Sequence, residues 1–348
     1  MTKIGHWQGF IPPQYIYRNR QFKGIAVNPP DFNPGSWCGA GKAIYDDELE
    51  AFLITSRPRS AEGDKRGFAA EIYRSKDGVS DFKLVKSISK KDVTDLSGIE
   101  IHSIEGTQLL RDPLTNRWYF YISIDIGKDF VWGGLHWETL LLSADELEGP
   151  WKSEGVVLKN GDSYDAHQAR DGTIDIIDGK WYCLYKAKDK NNDRRPAFAV
   201  SKDGIKWKKL GKLTIDGKEE LAFLSGKLFP GATGLIFIGT EMIEQIDPKV
   251  AHVEADKHAV RHGSSMVNFC AYHVDLHNLN LDSIMRIPWE PLSPYEHKDH
   301  PLLGYSTSLY DPNANRILLY VEILDGEHTK KVGLNETVER VLVYQTNL

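Results

Sequence analysis

Two carboxylates, Glu105 and Asp171, occupy matching places in the sequence, because each stands directly in front of a Gly-Thr pair. The stretches that they open, "EGTQLLRDPLTNRWYFYISI" and "DGTIDIIDGKWYCLYKAK", share an apolar run, a turn and a second apolar run. A carboxylate in such a setting is energetically costly unless it is paired or used in chemistry. We therefore predict a functional role for both acids. The structural alternative is that they anchor strands through hydrogen bonds to backbone amides.

The elements around these acids are predicted to be β-hairpins, since β-branched and aromatic residues flank Asp-Pro or Asp-Gly turns. Similar hairpins recur as "GAGKAIYDDELEAFLIT" (39–55), "LSGKLFPGATGLIFIGT" (224–240) and "STSLYDPNANRILLYVEI" (306–323). A second element, a Ser followed two residues later by Asp, recurs at Ser75, Ser143 and Ser201. The long segment "EMIEQIDPKVAHVEADKHAVRHGSSMV" (241–267) interrupts this pattern and is predicted to be a surface loop or short helix.

The repeats predict an all-β fold. A four-strand unit that recurs at roughly 60 to 70 residues is typical of a β-propeller blade, and a chain of 348 residues holds about five of them. We expect one five-bladed β-propeller domain over residues 1–348, with four-stranded antiparallel blades and with residues 1–34 closing or clasping the ring. A β-sandwich of similar hairpins is the alternative.

A propeller brings the starts of its inner strands together at one end of a central channel. We therefore expect Glu105 and Asp171 to lie within several ångströms of each other. Ala40 and Tyr305 stand at the same position of the first and fifth units, which carry no acid there.

Several motifs together resemble a known superfamily. Arg170-Asp171 opens a hairpin that ends in "DGKWYCLY", outer strands have the form S-x-D-G-x-x-W, and "ELEGPW" follows a third strand. The combination resembles the five-bladed propeller glycosidases of glycoside hydrolase families 43, 62, 32 and 68, with the family 130 phosphorylases as relatives. The resemblance covers most of residues 35 to 345 as a pattern of short motifs.

The resemblance implies three catalytic carboxylates on three inner strands. Glu105 takes the role of base or nucleophile, Asp171 with Arg170 stabilises an oxocarbenium-like transition state, and Glu220 protonates the leaving oxygen. The first blade of these enzymes normally carries an Asp, whereas Asp31 lies ahead of that position here. Either the set is shifted by one blade, or Asp31 is the base and Glu105 and Asp171 have other roles.

Loop residues are expected to complete a carbohydrate-binding site at the same channel mouth. Trp132, His136 and Trp137 form a sugar platform in this interpretation, although Trp137 is equally suited to pack under a blade. Arg57, together with Arg59 and Arg66, either belongs to a solvated loop or holds an anion such as a uronic acid or phosphate. The further substrate-binding candidates are Asp165, His167, Arg170 and Tyr305, together with Asp31 in its alternative role.

Composition limits the partners. The net charge of −6 and the absence of any run of five or more Lys or Arg argue against nucleic-acid and membrane surfaces. No cofactor is expected. A channel-bound calcium ion has no support from ligand spacing, so metal dependence is unknown. Three widely spaced cysteines, Cys38, Cys183 and Cys270, and the lack of an apolar leader favour a cytoplasmic protein. The oligomeric state is unknown.

The sequence thus predicts a glycoside hydrolase that cleaves sugars from an oligosaccharide or polysaccharide with inversion. Its small-molecule partner is a carbohydrate. Phosphorolysis with inorganic phosphate is one alternative function, and a non-catalytic carbohydrate-binding propeller that lacks the first-blade acid is another.

Overall fold

A computed structural model describes residues 13–60, 62, 66–127, 136–191, 193–231, 234–243, 266–299, 302–331 and 336–348. Strands dominate these residues, and the helices among them are short: α1 (Pro13–Arg18) and α2 (Lys90–Ser97). Neither helix is long and apolar enough to cross a membrane. Trp132 and most of the segment 241–267 lie outside the described residues, so the predictions made for them are not addressed.

The strands lie in antiparallel groups of four, which we number as sheets 1 to 5 in chain order. One pairing joins two of these groups into an eight-stranded sheet, and a short parallel strand adds to another. Sheet 1 consists of β2 (Ala43–Asp46), β3 (Ala51–Ser56), β4 (Ala69–Ser75) and β5 (Lys83–Ser89). Sheet 2 consists of β6 (Ser103–Arg111), β7 (Trp118–Asp125), β8 (Trp137–Ala144) and β9 (Lys152–Leu158). Sheet 3 consists of β10 (Gln168–Ile177), β11 (Lys180–Lys188), β12 (Arg194–Ser201) and β13 (Trp207–Lys212). One parallel pairing, Gln168 with Trp137, joins sheets 2 and 3.

The last two sheets recruit strands from outside the simple repeat. Sheet 4 consists of β15 (Ala222–Gly231), β16 (Gly234–Ile243), β17 (Met266–Asp275) and β18 (Asn280–Pro288), with the short β14 (Thr214–Ile215) parallel to β18. Sheet 5 consists of β19 (Leu302–Asp311), β20 (Arg316–Leu324), β21 (Glu339–Asn347) and β1 (Gln21–Val27). Strand β1 pairs antiparallel with β21, so the two ends of the chain share one sheet.

Turn chemistry explains where the hairpins fold back. In the turn between β10 and β11, Asp178 and Gly179 have φ values of 51° and 72°, as a two-residue type I′ turn requires. The Ser-x-Asp element forms the turns after β4 in sheet 1 and after β12 in sheet 3, each through a side-chain hydrogen bond. Ser75 Oγ bonds Asp77 Oδ1 at 2.9 Å and Ser201 Oγ bonds Asp203 Oδ1 at 3.0 Å. The recurring sequence signal is therefore a recurring local structure.

The apolar core is divided among the interfaces between successive sheets, and sheet 5 packs against sheet 1 as well as against sheet 4. Aromatic and aliphatic side chains at opposed strand faces fill each interface. Representative buried pairs, in order from the sheet 1/2 interface to the sheet 5/1 interface, are Leu53 and Phe120, Tyr119 and Trp181, Leu184 and Phe237, Phe269 and Leu319, and Tyr320 and Phe52.

Polar contacts link the first strands of neighbouring sheets in the same order. The linking hydrogen bonds run from Thr107 N to Ala40 O (2.8 Å), Ile174 N to Gln108 Oε1 (2.8 Å), Leu228 N to Asp175 Oδ2 (2.8 Å), Ser306 N to Ser225 Oγ (3.1 Å) and Lys42 Nζ to Ser306 O (2.9 Å). The last of these returns from sheet 5 to the segment that leads into β2. The starts of the first strands of the sheets, where Glu105 and Asp171 lie, therefore meet in one region.

Gly41 is a test of this close approach, because a Cβ atom there would overlap the backbone carbonyl oxygen of Thr55. We expect Gly41→Ala to lower the free energy of unfolding by about 3 kcal/mol or more. The matched control is Gly98→Ala, since no atom lies within 4 Å of that Cβ position and the cost is the positive φ of 70°, about 1 kcal/mol. Urea denaturation of both variants measures the difference. Equal losses would contradict the packing described here.

Candidate active site

Asp171 lies at the centre of the site. It stands at a register shift between β10 and β11, with a φ of 53°. Its carboxylate accepts hydrogen bonds from Gly106 N (3.0 Å), Lys186 Nζ (3.0 Å) and Tyr305 OH (2.8 Å). These donors come from sheets 2, 3 and 5. A non-glycine residue in the left-handed region is strained, and such strain is frequent at functional sites.

The surroundings of Asp171 fix its charge. Burial alone would raise its pKa, but Arg170, Lys186 and the hydrogen bond from Tyr305 together hold the pKa well below its usual range. The Arg170 Nη1 atom lies 3.2 Å from Asp171 Oδ2. Burial and the Asp171 charge raise the pKa of Tyr305 well above its ordinary value, so the phenol keeps its proton. Asp171 is thus an ionised carboxylate that accepts hydrogen bonds from Gly106, Lys186, Tyr305 and Arg170.

Glu105 directly precedes Gly106, whose backbone N–H donates to Asp171 Oδ1 at 3.0 Å, so the starts of the two strands meet. The Glu105 carboxylate forms an ion pair with Arg57, whose guanidinium is 1% exposed. The glycine that follows Glu105 has a steric role, because a Cβ on Gly106 would lie 2.6 Å from Asp171 Oδ1. Glycine after the acid therefore allows the start of β6 to approach the Asp171 carboxylate at the start of β10.

The arginines of the first loop are folded into the site rather than solvated. Arg57 pairs with Glu105, Arg66 pairs with Asp125, and the Arg59 guanidinium lies 3.8 Å from the centre of the Trp37 ring. Burial and the neighbouring Arg57 lower the pKa of Arg59 to about 9. This cluster thus brings three arginines, two of them paired with carboxylates, to one wall of the site.

The predicted sugar platform takes a different form. Trp137 is 1% exposed, and the Arg170 guanidinium covers it at 4.2 Å from the ring centre. Its packing role, the alternative considered above, is the one observed: it supports Arg170. His136 is exposed, and its ring lies 5.5 Å from that of His167.

Three sequence-predicted residues have partners of their own elsewhere. Asp165 accepts a hydrogen bond from Tyr185 OH at 3.1 Å and pairs with Lys209. Asp31 closes a surface turn by accepting from Asn33 N at 2.8 Å. Glu220 forms an ion pair with Arg286 at 2.9 Å, and both of its carboxylate oxygens face that guanidinium. The contacts of these acids do not include Glu105 or Asp171.

The sequence interpretation missed a buried pair of acids, Glu322 and Glu339. Glu322 lies in the otherwise apolar strand β20, and its Oε2 accepts a hydrogen bond from Ala40 N at 3.2 Å. Burial raises its pKa to about 7 although Arg57 opposes the shift, and burial together with Glu322 raises the pKa of Glu339 well above its usual value. A lone acid within "RILLYVEIL" was the signal available in the sequence.

Within the part of the chain that the structure describes, no group of three or more His, Cys, Asp or Glu side chains is arranged to hold a metal ion. The charged groups of the site are paired with one another instead. The site can therefore present an ionised carboxylate, a proton-bearing carboxyl pair and several cations to one polar ligand.

Comparison with known proteins gives a fold but no close relative. No family model matches the sequence, and no curated protein matches it. Among solved structures, a family 117 glycoside hydrolase from Zobellia galactanivorans is 12% identical, with a TM-score of 0.57, and the match covers 96% of this chain and 91% of that one. An α-L-arabinofuranosidase from Lactobacillus brevis is 14% identical, with a TM-score of 0.58 and coverage of 91% and 92%.

A structure with different chemistry has the same fold. An N-acetylgalactosamine deacetylase from F. plautii is 9% identical, with a TM-score of 0.57, and the match covers 94% of this chain and 95% of that one. The chain thus shares its fold with propeller-type glycoside hydrolases and with other carbohydrate enzymes. Because fold does not determine chemistry, function must be argued from the site.

The raised pKa of Glu322 has a consequence for stability. A carboxyl whose pKa is raised on folding stabilises the folded state below its unfolded pKa, and that stability is lost as pH rises through the folded value of about 7. We expect Glu322→Gln to leave the free energy of unfolding nearly unchanged at pH 5. At pH 8 we expect it to raise that free energy by roughly 1–3 kcal/mol. Denaturant titrations at both pH values measure this. A pH-independent effect would contradict the assignment of a buried neutral acid.

Proposed function

We propose that this protein is a glycoside hydrolase built on a single five-bladed propeller. The apolar interfaces that join each sheet to the next, and sheet 5 to sheet 1, support a ring in which sheets 1 to 5 are the blades. The hydrogen bonds between first strands support the same closure. The whole chain, with β1 in the last blade, then forms one domain.

One observation carries the proposed reaction: Asp171 is a buried ionised carboxylate that neighbouring strands hold in place, next to a second carboxylate, Glu105. Cleavage of a glycosidic bond passes through a transition state with positive charge at the anomeric carbon. A fixed negative charge in a water-poor site stabilises that transition state more than it stabilises the neutral substrate. Asp171 has the burial and the donors needed for this role.

Glu105 is proposed as the base. Its side chain is 17% exposed, so water reaches it more readily than it reaches Asp171 at 1%. Proton removal from water lets the water oxygen bond to the anomeric carbon on the face opposite the leaving group, which inverts the configuration. The Arg57 ion pair holds Glu105 in position for this step.

The family resemblance implies Glu220 as the proton donor. Of the three implied carboxylates, it has the least support from the geometry. Arg286 faces both of its carboxylate oxygens and also bonds Glu241 at 2.8 Å. A proton donor needs an oxygen directed at the leaving group, so Glu220 must leave this ion pair to act. We infer that its main role is to link β18 with the start of β15.

The carbohydrate is proposed to bind over the mouth formed by Arg170, Tyr305 and His136. Hydroxyl groups of a sugar match donors and acceptors of this kind, and a partly exposed imidazole offers a flat face. The cations of the first loop favour a sugar that carries a negative group.

Replacing either central carboxylate tests the proposal. We expect Asp171→Asn and Glu105→Gln to lower kcat/KM for a responsive glycoside by about 10³-fold or more, because charge stabilisation and base catalysis are lost. The matched control is Asp311→Asn, another buried carboxylate with an arginine partner, at the far end of β19. The measurement is product release from a panel of aryl glycosides, furanosides, uronides and oligosaccharides. Unchanged rates in both site variants would refute the assignment.

The same panel separates the alternative functions when it is run with and without inorganic phosphate. Hydrolysis gives a free sugar at a rate that does not depend on phosphate. Phosphorolysis gives a sugar phosphate and requires the anion, for which the cationic wall around Arg59 is the candidate site. Calorimetric binding of a sugar without turnover would instead support a carbohydrate-binding propeller.

A further inference from the structure

Ala40, just before the first strand of sheet 1, has the backbone conformation of Asp171 but carries no carboxylate. Ala40 stands there with a φ of 50°, close to the 53° of Asp171. Like Asp171, it is followed by a glycine, and its carbonyl oxygen accepts a hydrogen bond from Thr107 N of the next sheet at 2.8 Å. A methyl group at this position performs no proton transfer. The question is what occupies the space that a first-sheet carboxylate would fill.

Glu322 of sheet 5 lies against the backbone of this position. Its Oε2 accepts a hydrogen bond from the backbone N–H of Ala40 at 3.2 Å. A Cβ added to the neighbouring Gly39 would lie 2.7 Å from Glu322 Cδ. Gly39 has a φ of 111°, so the chain here both needs glycine and leaves room for the incoming carboxyl group.

Glu322 lines a small cavity to which Tyr305, a hydrogen-bond partner of Asp171, also contributes. Residues 39–41, Tyr305 and Ser306 line this cavity together with Glu322. Tyr305 also donates its hydroxyl hydrogen bond to Asp171 Oδ2 at 2.8 Å. One residue thus contacts both the Asp171 carboxylate and the cavity at which Glu322 lies. The two acids belong to a single site although 151 positions of sequence, the difference between 322 and 171, separate them.

We propose that Glu322 is the general acid of this site and takes the place of the missing first-sheet carboxylate. The assignment rests on the proposed glycoside hydrolysis. Glu322 transfers its proton to the glycosidic oxygen as the bond from that oxygen to the anomeric carbon breaks, and the bonding electron pair stays on the oxygen. The oxygen of a water molecule bonds to the anomeric carbon, and the proton that this water loses goes to Glu105. Solvent then returns a proton to Glu322 and removes one from Glu105.

The protonation states that this step needs agree with the surroundings. The charged and titratable groups that interact with Glu322 come from several elements. They are Arg57 of the loop after β3, Glu105 of β6, Glu339 of β21, Tyr305 of β19, and Cys38 and Lys42 of the segment before β2. Burial and Glu105 favour the neutral carboxyl, whereas Arg57 opposes it, and the resulting pKa is about 7. Asp171 is ionised in the same range. Two acids whose pKa values are pushed apart are suited to different roles in one reaction.

The test compares leaving groups of different basicity. A 2,4-dinitrophenyl glycoside of the responsive sugar needs no protonation to depart, whereas an alkyl glycoside or a disaccharide does. For Glu322→Gln we expect kcat/KM to fall about 10²- to 10⁴-fold on the alkyl glycoside and less than about 10-fold on the dinitrophenyl glycoside. Glutamine keeps an acceptor for the Ala40 N–H, and its unfolding curve reports whether the variant is folded.

Glu339→Gln is the matched comparison, because it replaces the buried neighbour of Glu322 with the same change of chemistry. We expect a smaller loss than Glu322→Gln causes, confined to the alkyl glycoside and accompanied by a shift in its pH profile, because Glu339 acts only through the environment of Glu322. Glu322→Asp provides a second variant, with partial activity that again depends on the leaving group.

Equal losses of Glu322→Gln on both glycosides, or no loss on either, would overturn the assignment of Glu322 while glycoside hydrolysis stands. A leaving-group-dependent loss in Glu220→Gln and not in Glu322→Gln would also overturn it, in favour of Glu220. Absence of cleavage of every glycoside by the wild-type protein would overturn the proposed function and this assignment together.

Discussion

The buried negative charge of Asp171 is the constraint around which the site is built. An isolated carboxylate in a protein interior costs many kilocalories per mole, so it must be paired and hydrogen-bonded. Its partners come from separate sheets: the Gly106 amide, the Lys186 ammonium and the Tyr305 hydroxyl. Each sheet must therefore present its head at a defined depth and angle. The glycine after Glu105, the register shift in β10 and the packing of Arg170 over Trp137 all follow from that requirement.

A second buried charge stabilises the arrangement below the site. The Lys42 ammonium donates to Ser225 Oγ at 2.5 Å and to Ser306 O at 2.9 Å, and so connects sheet 1 with sheets 4 and 5. Burial lowers the pKa of Lys42 to about 7, although Asp175 and Asp171 oppose the shift. Polar side chains on the first strands of these sheets thus form hydrogen bonds with one another where the strands meet. Such networks hold strand heads in register because each member is costly to leave unpaired.

The sequence predicted what is encoded locally. Hairpins, their Asp-Gly and Asp-Pro turns, the Ser-x-Asp tips and the matched frame of Glu105 and Asp171 depend on neighbouring residues, and the structure contains them. The role of Glu322 was not predicted because its nearness to Ala40 exists only once sheet 5 packs against sheet 1. The same limit applies to Trp137, whose sequence fitted an exposed platform and a buried support equally well. Long-range burial decides such cases.

Charge balance also explains why separate acids have separate protonation states. Arg57 pairs with Glu105, and Arg170 with Lys186 compensates the charge of Asp171, so Asp171 stays ionised although it is buried. For Glu322 and Glu339 burial outweighs the opposing effect of Arg57 on both pKa values, and Glu322 further raises the pKa of Glu339, whereas the hydrogen bond with Glu339 lowers that of Glu322. Because two buried acids with too few cations cannot both ionise, at least one keeps its proton. The number and placement of arginines around the mouth therefore determine which carboxyl can donate a proton and which can only offer charge.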